Sequence, residues 1–151
     1  MPTLKDQLRA DLTTAMKTRD ETRTRTLRMA LTSITTEEVS GSRAHDLTDD
    51  EVVKILIREA KRRREAAAAF AEAGREDQAA AERAEERVLA DYLPTQLDDA
   101  ELAALVAAAI AETGASGPAG IGQVMKVVTP RVAGRAEGSR VAAQVRSQLG
   151  S

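Results

Sequence analysis

From Leu47 to Leu93 the apolar residues recur every three or four positions, and Gly74 is the only glycine or proline in the stretch. That is the period of an amphipathic helix, not the alternation of a strand. The stretch opens on LTDDEV, where Thr48 can cap, Glu51 can reach back, and Leu47 and Val52 can form a hydrophobic staple. The pattern predicts a helix of about 25 residues, roughly 37 Å, ending near Ala73. Its seam is read as Val53, Leu56, Ala60, Ala67 and Phe70. Gly74 breaks it, and a second helix over about 75–93 is expected to turn Ala81, Ala84, Val88 and Tyr92 inward. Two such helices joined by so short a turn bury their stripes by folding back as an antiparallel hairpin.

The rest of the chain has the same period. A first helix is predicted over about 3–18, capped by Thr3 and Asp6, with Leu4, Leu8, Leu12, Ala15 and Met16 on one face. A second starts near Asp20, carries Leu27, Ala30, Leu31 and Ile34, and ends by Gly41. Pro94 stops the hairpin, and LDDAEL at 97–102 repeats the start signal. The expected organisation is an N-terminal helical domain over 1–93, a hinge at 94–97, and a small three-helix domain over 98–151. Those three helices are read at about 99–112, around Ile121, Val124, Met125 and Val128, and around Val141, Val145 and Leu149. The fold class is all-α.

Composition narrows the function. The chain has 151 residues, no cysteine and one histidine, His45, in a polar loop. Thiolate metal sites and disulfides are excluded, and a lone histidine does not build a metal centre. No nucleophile motif or phosphate-binding glycine loop is present, so no catalytic residue, cofactor or metal is expected. No apolar run reaches the length of a membrane span, and the N-terminus lacks a signal-peptide core, which points to a cytoplasmic protein. Phe70 and Tyr92 are the only aromatic residues. Single-strand readers that stack bases on aromatic platforms are therefore nearly excluded.

Charge is uneven. Residues 65–101 hold eleven acidic and three basic side chains, net -8, whereas residues 120–151 hold Lys126, Arg131, Arg135, Arg140 and Arg146 against Glu137 alone, net +4. A basic end is the electrostatic footprint of a phosphate-bearing partner. Within it lies TPRVAGRAEG, residues 129–138. Pro130 is expected to end or bend the preceding helix, Gly134 to take the left-handed C-cap, and Glu137 or Ser139 to cap the next helix. Free N–H groups at a helix start beside an exposed Arg135 favour an anion; a plain interhelical turn with a solvated arginine is the other reading. A second basic run, REAKRRRE at 58–65, circles its helix because successive residues lie 100° apart. Arg63 or Arg64 must then approach the seam and pair with an acid of the following helix. Alternatively Arg58, Lys61, Arg62 and Arg64 form a phosphate-facing patch with Arg23, Arg25 and Arg28.

Taken together, LRMALTSI at 27–34, the basic helix at 58–64, EAGRED at 72–77, YLPTQLDDAEL at 92–102, ETGASGPAGIGQVMKVVTPRVAGRAEG at 112–138 and the closing VAAQVRSQL resemble the small bacterial GatB/YqeY-domain proteins of the YqeY type. The resemblance covers almost the whole chain. It implies an all-helical protein whose C-terminal domain is similar to the tail of the GatB subunit of the tRNA-dependent amidotransferase, an RNA-binding element. It also implies the family label of carbon–nitrogen ligase activity with glutamine as amido-N-donor, although the domains that carry that chemistry have no counterpart here. Gly134, Arg135 and Ala136 match the family's Gly-basic-Ala pattern and Gly138 its following glycine, while Glu137 stands where Asp or Asn is usual.

The leading expectation is a tRNA- or RNA-associated accessory protein with a phosphate site at Lys126, Arg131, Gly134, Arg135 and Arg140, working with a protein partner in aminoacyl-tRNA metabolism. The alternatives are a protein–protein adaptor acting through the 48–93 hairpin and, weakest, an amidotransferase-like enzyme.

Overall fold

A computed structural model describes residues 2–150. The chain is all-helical, with seven α-helices and no strand among the described residues. They are α1 (Leu4–Lys17), α2 (Glu21–Glu38), α3 (Asp49–Glu72), α4 (Glu76–Ala90), α5 (Asp99–Thr113), α6 (Ile121–Val132) and α7 (Gly138–Leu149), with one 3-10 turn at Pro118–Gly120. The chain divides into two compact units, the first ending at Leu93 and the second beginning at Pro94.

In the first unit the starts of the helices are chemically specified. Thr3 accepts from the Asp6 amide while Asp6 accepts from the Thr3 amide, and Thr48 and Glu51 make the same reciprocal pair at the head of α3. Asp20 accepts from the Arg23 amide to start α2. Each such cap satisfies amides that the helix leaves without partners. Leu8, Leu27, Ile34, Leu56 and Leu89 are fully buried in one cluster with Val52, Ile55 and Ala60. Each large aliphatic side chain sealed this way contributes about 1.5–3 kcal/mol.

α3 and α4 pack along their lengths across the turn at 73–75. Their buried face matches the expected one in part, with Leu56, Ala60 and Ala67 inside as anticipated. On α3 it is Val52, Ile55, Leu56, Glu59, Ala60, Arg63 and Ala67 that are buried; Val53 and Phe70 are only half-buried. On α4 the buried residues are Ala79, Glu85 and Leu89, while Ala81 is exposed. On α1, Ala15 is buried but Met16 stands out in solvent. α4 also ends at Ala90, short of Leu93.

The second unit packs α5, α6 and α7 around Leu97, Leu102, Val106, Ala109, Val124, Val128, Val132, Val141, Val145 and Leu149. Asp98 accepts from the Glu101 amide at 2.7 Å and starts α5. Gly120 is required where the 3-10 turn crosses Ala115: a Cβ there would sit 2.8 Å from the Ala115 Cβ. Among the described residues no single helix is long and apolar enough to cross a membrane.

Candidate functional site

The turn between α6 and α7 is built differently from the simple cap expected of it. Pro130 lies inside α6, which continues to Val132. Proline lacks the amide that would have bonded four residues back, but it tolerates helical φ, so the helix runs on for a further half-turn. Two successive residues then adopt left-handed backbone, Ala133 at φ 49° and Gly134 at φ 78°. Glycine takes that conformation freely; alanine takes it at a cost.

Arg135 turns back on the helix it follows. Its Nε donates to the Val132 carbonyl at 3.2 Å and one terminal nitrogen donates to the Arg131 carbonyl at 3.0 Å. It is half-buried, not the solvated side chain expected. The last carbonyls of a helix have no partner within it and carry the negative end of its dipole, so a guanidinium is well suited to them; the Val132 carbonyl also accepts from the Arg135 amide at 3.0 Å. Two of its five N–H groups are used in this way, and the rest of the fork stays available.

The turn is also tied to the start of its own unit. The Leu97 amide donates to the Arg135 carbonyl at 2.7 Å, Gln96 Nε2 to the Gly134 carbonyl at 3.3 Å, and Arg140 to the Leu97 carbonyl at 3.1 Å. Gln96 and Leu97 are turn-fixing residues that sequence reasoning did not identify. Their partners lie some forty residues away, and no local pattern announces such a bond. At the head of α7, Glu137 stands at the N-cap without a side-chain bond to the first-turn amides, and Ser139 donates to its carboxylate at 3.5 Å. Neither residue caps α7 in the way anticipated.

The remaining cations of the unit fall into two groups. Arg131 is ion-paired with Glu112, and that hydrogen bond holds the Glu112 carboxyl below its usual range. Arg140 reaches Asp99 at 2.9 Å, whose side chain is 94% exposed. Lys126 and Arg146 are exposed and pair with no carboxylate among the described residues. Pairs as wet as these contribute little to stability and exchange readily.

The run at 58–65 is largely neutralised. Arg62 lies 3.2 Å from Glu59, Arg64 2.6 Å from Glu86 and Lys61 3.9 Å from Glu65; Arg58 is exposed. Of the companions expected from α2, Arg25 is 2.8 Å from Glu85, Arg23 is 3.3 Å from Asp91, and Arg28 rests on the Met16 sulfur. Arg63 is buried. It donates to Glu59 at 2.7 Å and faces Glu85 of α4 at 3.5 Å, while Ser33 of α2 donates to Glu59 at 3.0 Å. Burial alone would raise the Glu59 carboxyl, but the bonds from Arg63 and Ser33, with the nearby guanidinium charges, hold it below its usual value.

A model of the family described as Yqey-like protein matches residues 5–149. The chain belongs to that family. No curated protein matches it. In this family member no group of three or more His, Asp or Glu side chains could hold a metal ion among the described residues.

Proposed function

We propose that the chain is an RNA-associated accessory protein of the cytoplasm that holds structured RNA, tRNA foremost, through its C-terminal unit. The observation that carries this reading is the charge of residues 120–151, five cations against one acid. They lie on α6, α7 and the turn between them. The resemblance read in the sequence of residues 112–138 to the amidotransferase tail favours it. With no aromatic residue after Tyr92, such a surface would hold nucleic acid by its backbone and shape and not by stacking on bases.

In this reading Lys126 and Arg146 meet phosphates directly. Arg131 and Arg140 exchange exposed carboxylates for phosphate oxygens at little cost. Arg135 keeps the turn in shape and offers the free edge of its guanidinium, a planar donor matched to phosphate. Any amide-transfer chemistry belongs to a partner.

Filter binding of the full chain to tRNA tests it. Affinity should fall steeply with salt, by the equivalent of about two to four counterions. Failure to bind tRNA at low salt overturns the proposal.

A further inference from the structure

The junction of α1 and α2 carries a feature that RNA binding does not use. Met16 and Met29 are each 45% exposed, and with Val39 they are the exposed large hydrophobic side chains of the described residues. Both line one open groove of about 730 Å³, bordered by Arg19, Arg25 and Arg28 with Glu21 as its one acid. Methionine is flexible and polarizable, and it recurs on surfaces that mould themselves to a partner.

The arginines around it are incompletely satisfied. Arg25 shares Glu85. Arg28 makes only a 3.2 Å contact to the Met16 sulfur, a weak acceptor. Arg19 pairs with no carboxylate among the described residues.

Arg19 also occupies an unfavourable backbone position, at φ 58°. Its amide donates to the Met16 carbonyl at 3.3 Å, and the Asp20 amide to the Ala15 carbonyl at 3.0 Å. These two bonds end α1 in a Schellman turn whose left-handed residue is ordinarily glycine. Glycine would close the turn without strain. What arginine adds is a cation at the edge of the groove.

We propose that this groove docks an acidic amphipathic helix of a partner protein, with apolar side chains seated between Met16 and Met29 and carboxylates on Arg19 and Arg28. The two halves of the surface select this occupant together. RNA would satisfy the guanidiniums and leave both methionines without a partner. A membrane surface does not enter a concavity. A helix with an apolar stripe and an acidic edge does both, and arginine–carboxylate pairs fix its register. The proposal is independent of the RNA reading, since every residue in it lies before Leu93.

The test is a selection of helical peptides from an unbiased displayed library on the full chain. Enriched peptides should carry Asp or Glu beside an apolar stripe. With methyl-labelled methionine, they should move the Met16 and Met29 signals and leave that of Met125 in place. Arg28→Glu should weaken their binding about tenfold. Arg19→Gly should weaken it too, with a melting temperature no lower than the parent's, which separates docking from folding. The proposal is overturned if no peptide is enriched, if the enriched peptides are neutral or basic, or if both variants bind them as the parent does. It is equally overturned if tRNA or phosphatidylglycerol vesicles move the two methionine signals and the peptides do not.

Discussion

Arg63 and Glu59, one turn apart on α3, meet at 2.7 Å with each side chain only 5% exposed. Glu85 approaches the same guanidinium from α4, and Ser33 approaches Glu59 from α2. A cation buried between two carboxylates is sustained by all its partners at once. Arg63→Ala should therefore cost about 3 kcal/mol in urea unfolding, because it leaves two buried carboxylates with only the largely exposed Arg62 and Arg25 as counter-charges. The triple change Arg63→Met, Glu59→Gln and Glu85→Gln removes the charges together and should cost far less. Equal losses in the two proteins would show that packing, not charge, dominates at this seam.

The same network sets an acid limit. The folded Glu59 carboxyl lies below its ordinary value of 4.5, so its contribution is complete above that ordinary value and is lost as pH falls from there through the lower folded value. Stability of the parent should decline below about pH 4.5. Glu59→Gln should flatten that decline in part, since Glu112 and Asp6 are also held low by their hydrogen bonds. An acid limb of unchanged slope in Glu59→Gln would contradict the assignment.

Arg135 and Lys126 should separate under mutation. Arg135→Ala removes two bonds to the end of α6 and should destabilise by about 1 kcal/mol. Lys126→Ala removes an exposed side chain and should leave melting unchanged. It should weaken tRNA binding and flatten the salt dependence by about one counterion. Should Lys126→Ala bind tRNA like the parent at every salt concentration, the lysine faces no phosphate.

Arg19 and Ala133 are the two non-glycine residues with positive φ among the described residues. Replacing either by glycine relieves strain in the folded chain while adding freedom to the unfolded one, for a net gain of about 0.5 kcal/mol. Gly134→Val works in the opposite direction, by about 2 kcal/mol, because a β-branched residue is badly strained at φ 78°. Thermal unfolding of the three variants checks the signs.

Where polar chemistry fixed a helix start, the structure was legible in advance. Thr3 with Asp6 and Thr48 with Glu51 lie three residues apart in sequence, and their bonds follow from that spacing alone. The face of α4 was legible only in part. Val88 and Tyr92 pack against the core as expected, but alanines surround that helix, so periodicity has little contrast there, and the fully buried positions fall on Ala79, Glu85 and Leu89 while Ala81 is exposed. That Arg63 or Arg64 must reach an acid of α4 was readable from the 100° step between residues; both do. The inward turn of Arg135 was not readable, because it depends on where α6 ends, and Pro130 suggested an earlier end than Val132. The groove at Met16 was missed for a similar reason. A methionine beside Ala15 fits an apolar stripe, and only the packing of neighbouring helices decides that it is left outside.

Tyr92 is the only tyrosine, and the chain has no tryptophan. Its hydroxyl donates to Asp11 at 2.5 Å and accepts from Arg23 at 3.1 Å, and burial with the Asp11 bond pushes its ionisation up. The near-ultraviolet signature of the protein thus originates almost entirely at one phenol, where α1, α2 and the end of α4 converge. A carboxylate that close quenches phenol emission, so loosening of the first unit should brighten the chain. The second unit, with neither tyrosine nor phenylalanine, melts in the dark. Circular dichroism records the helices of both units, so a loss of helix that leaves the phenol emission unchanged belongs to the second unit.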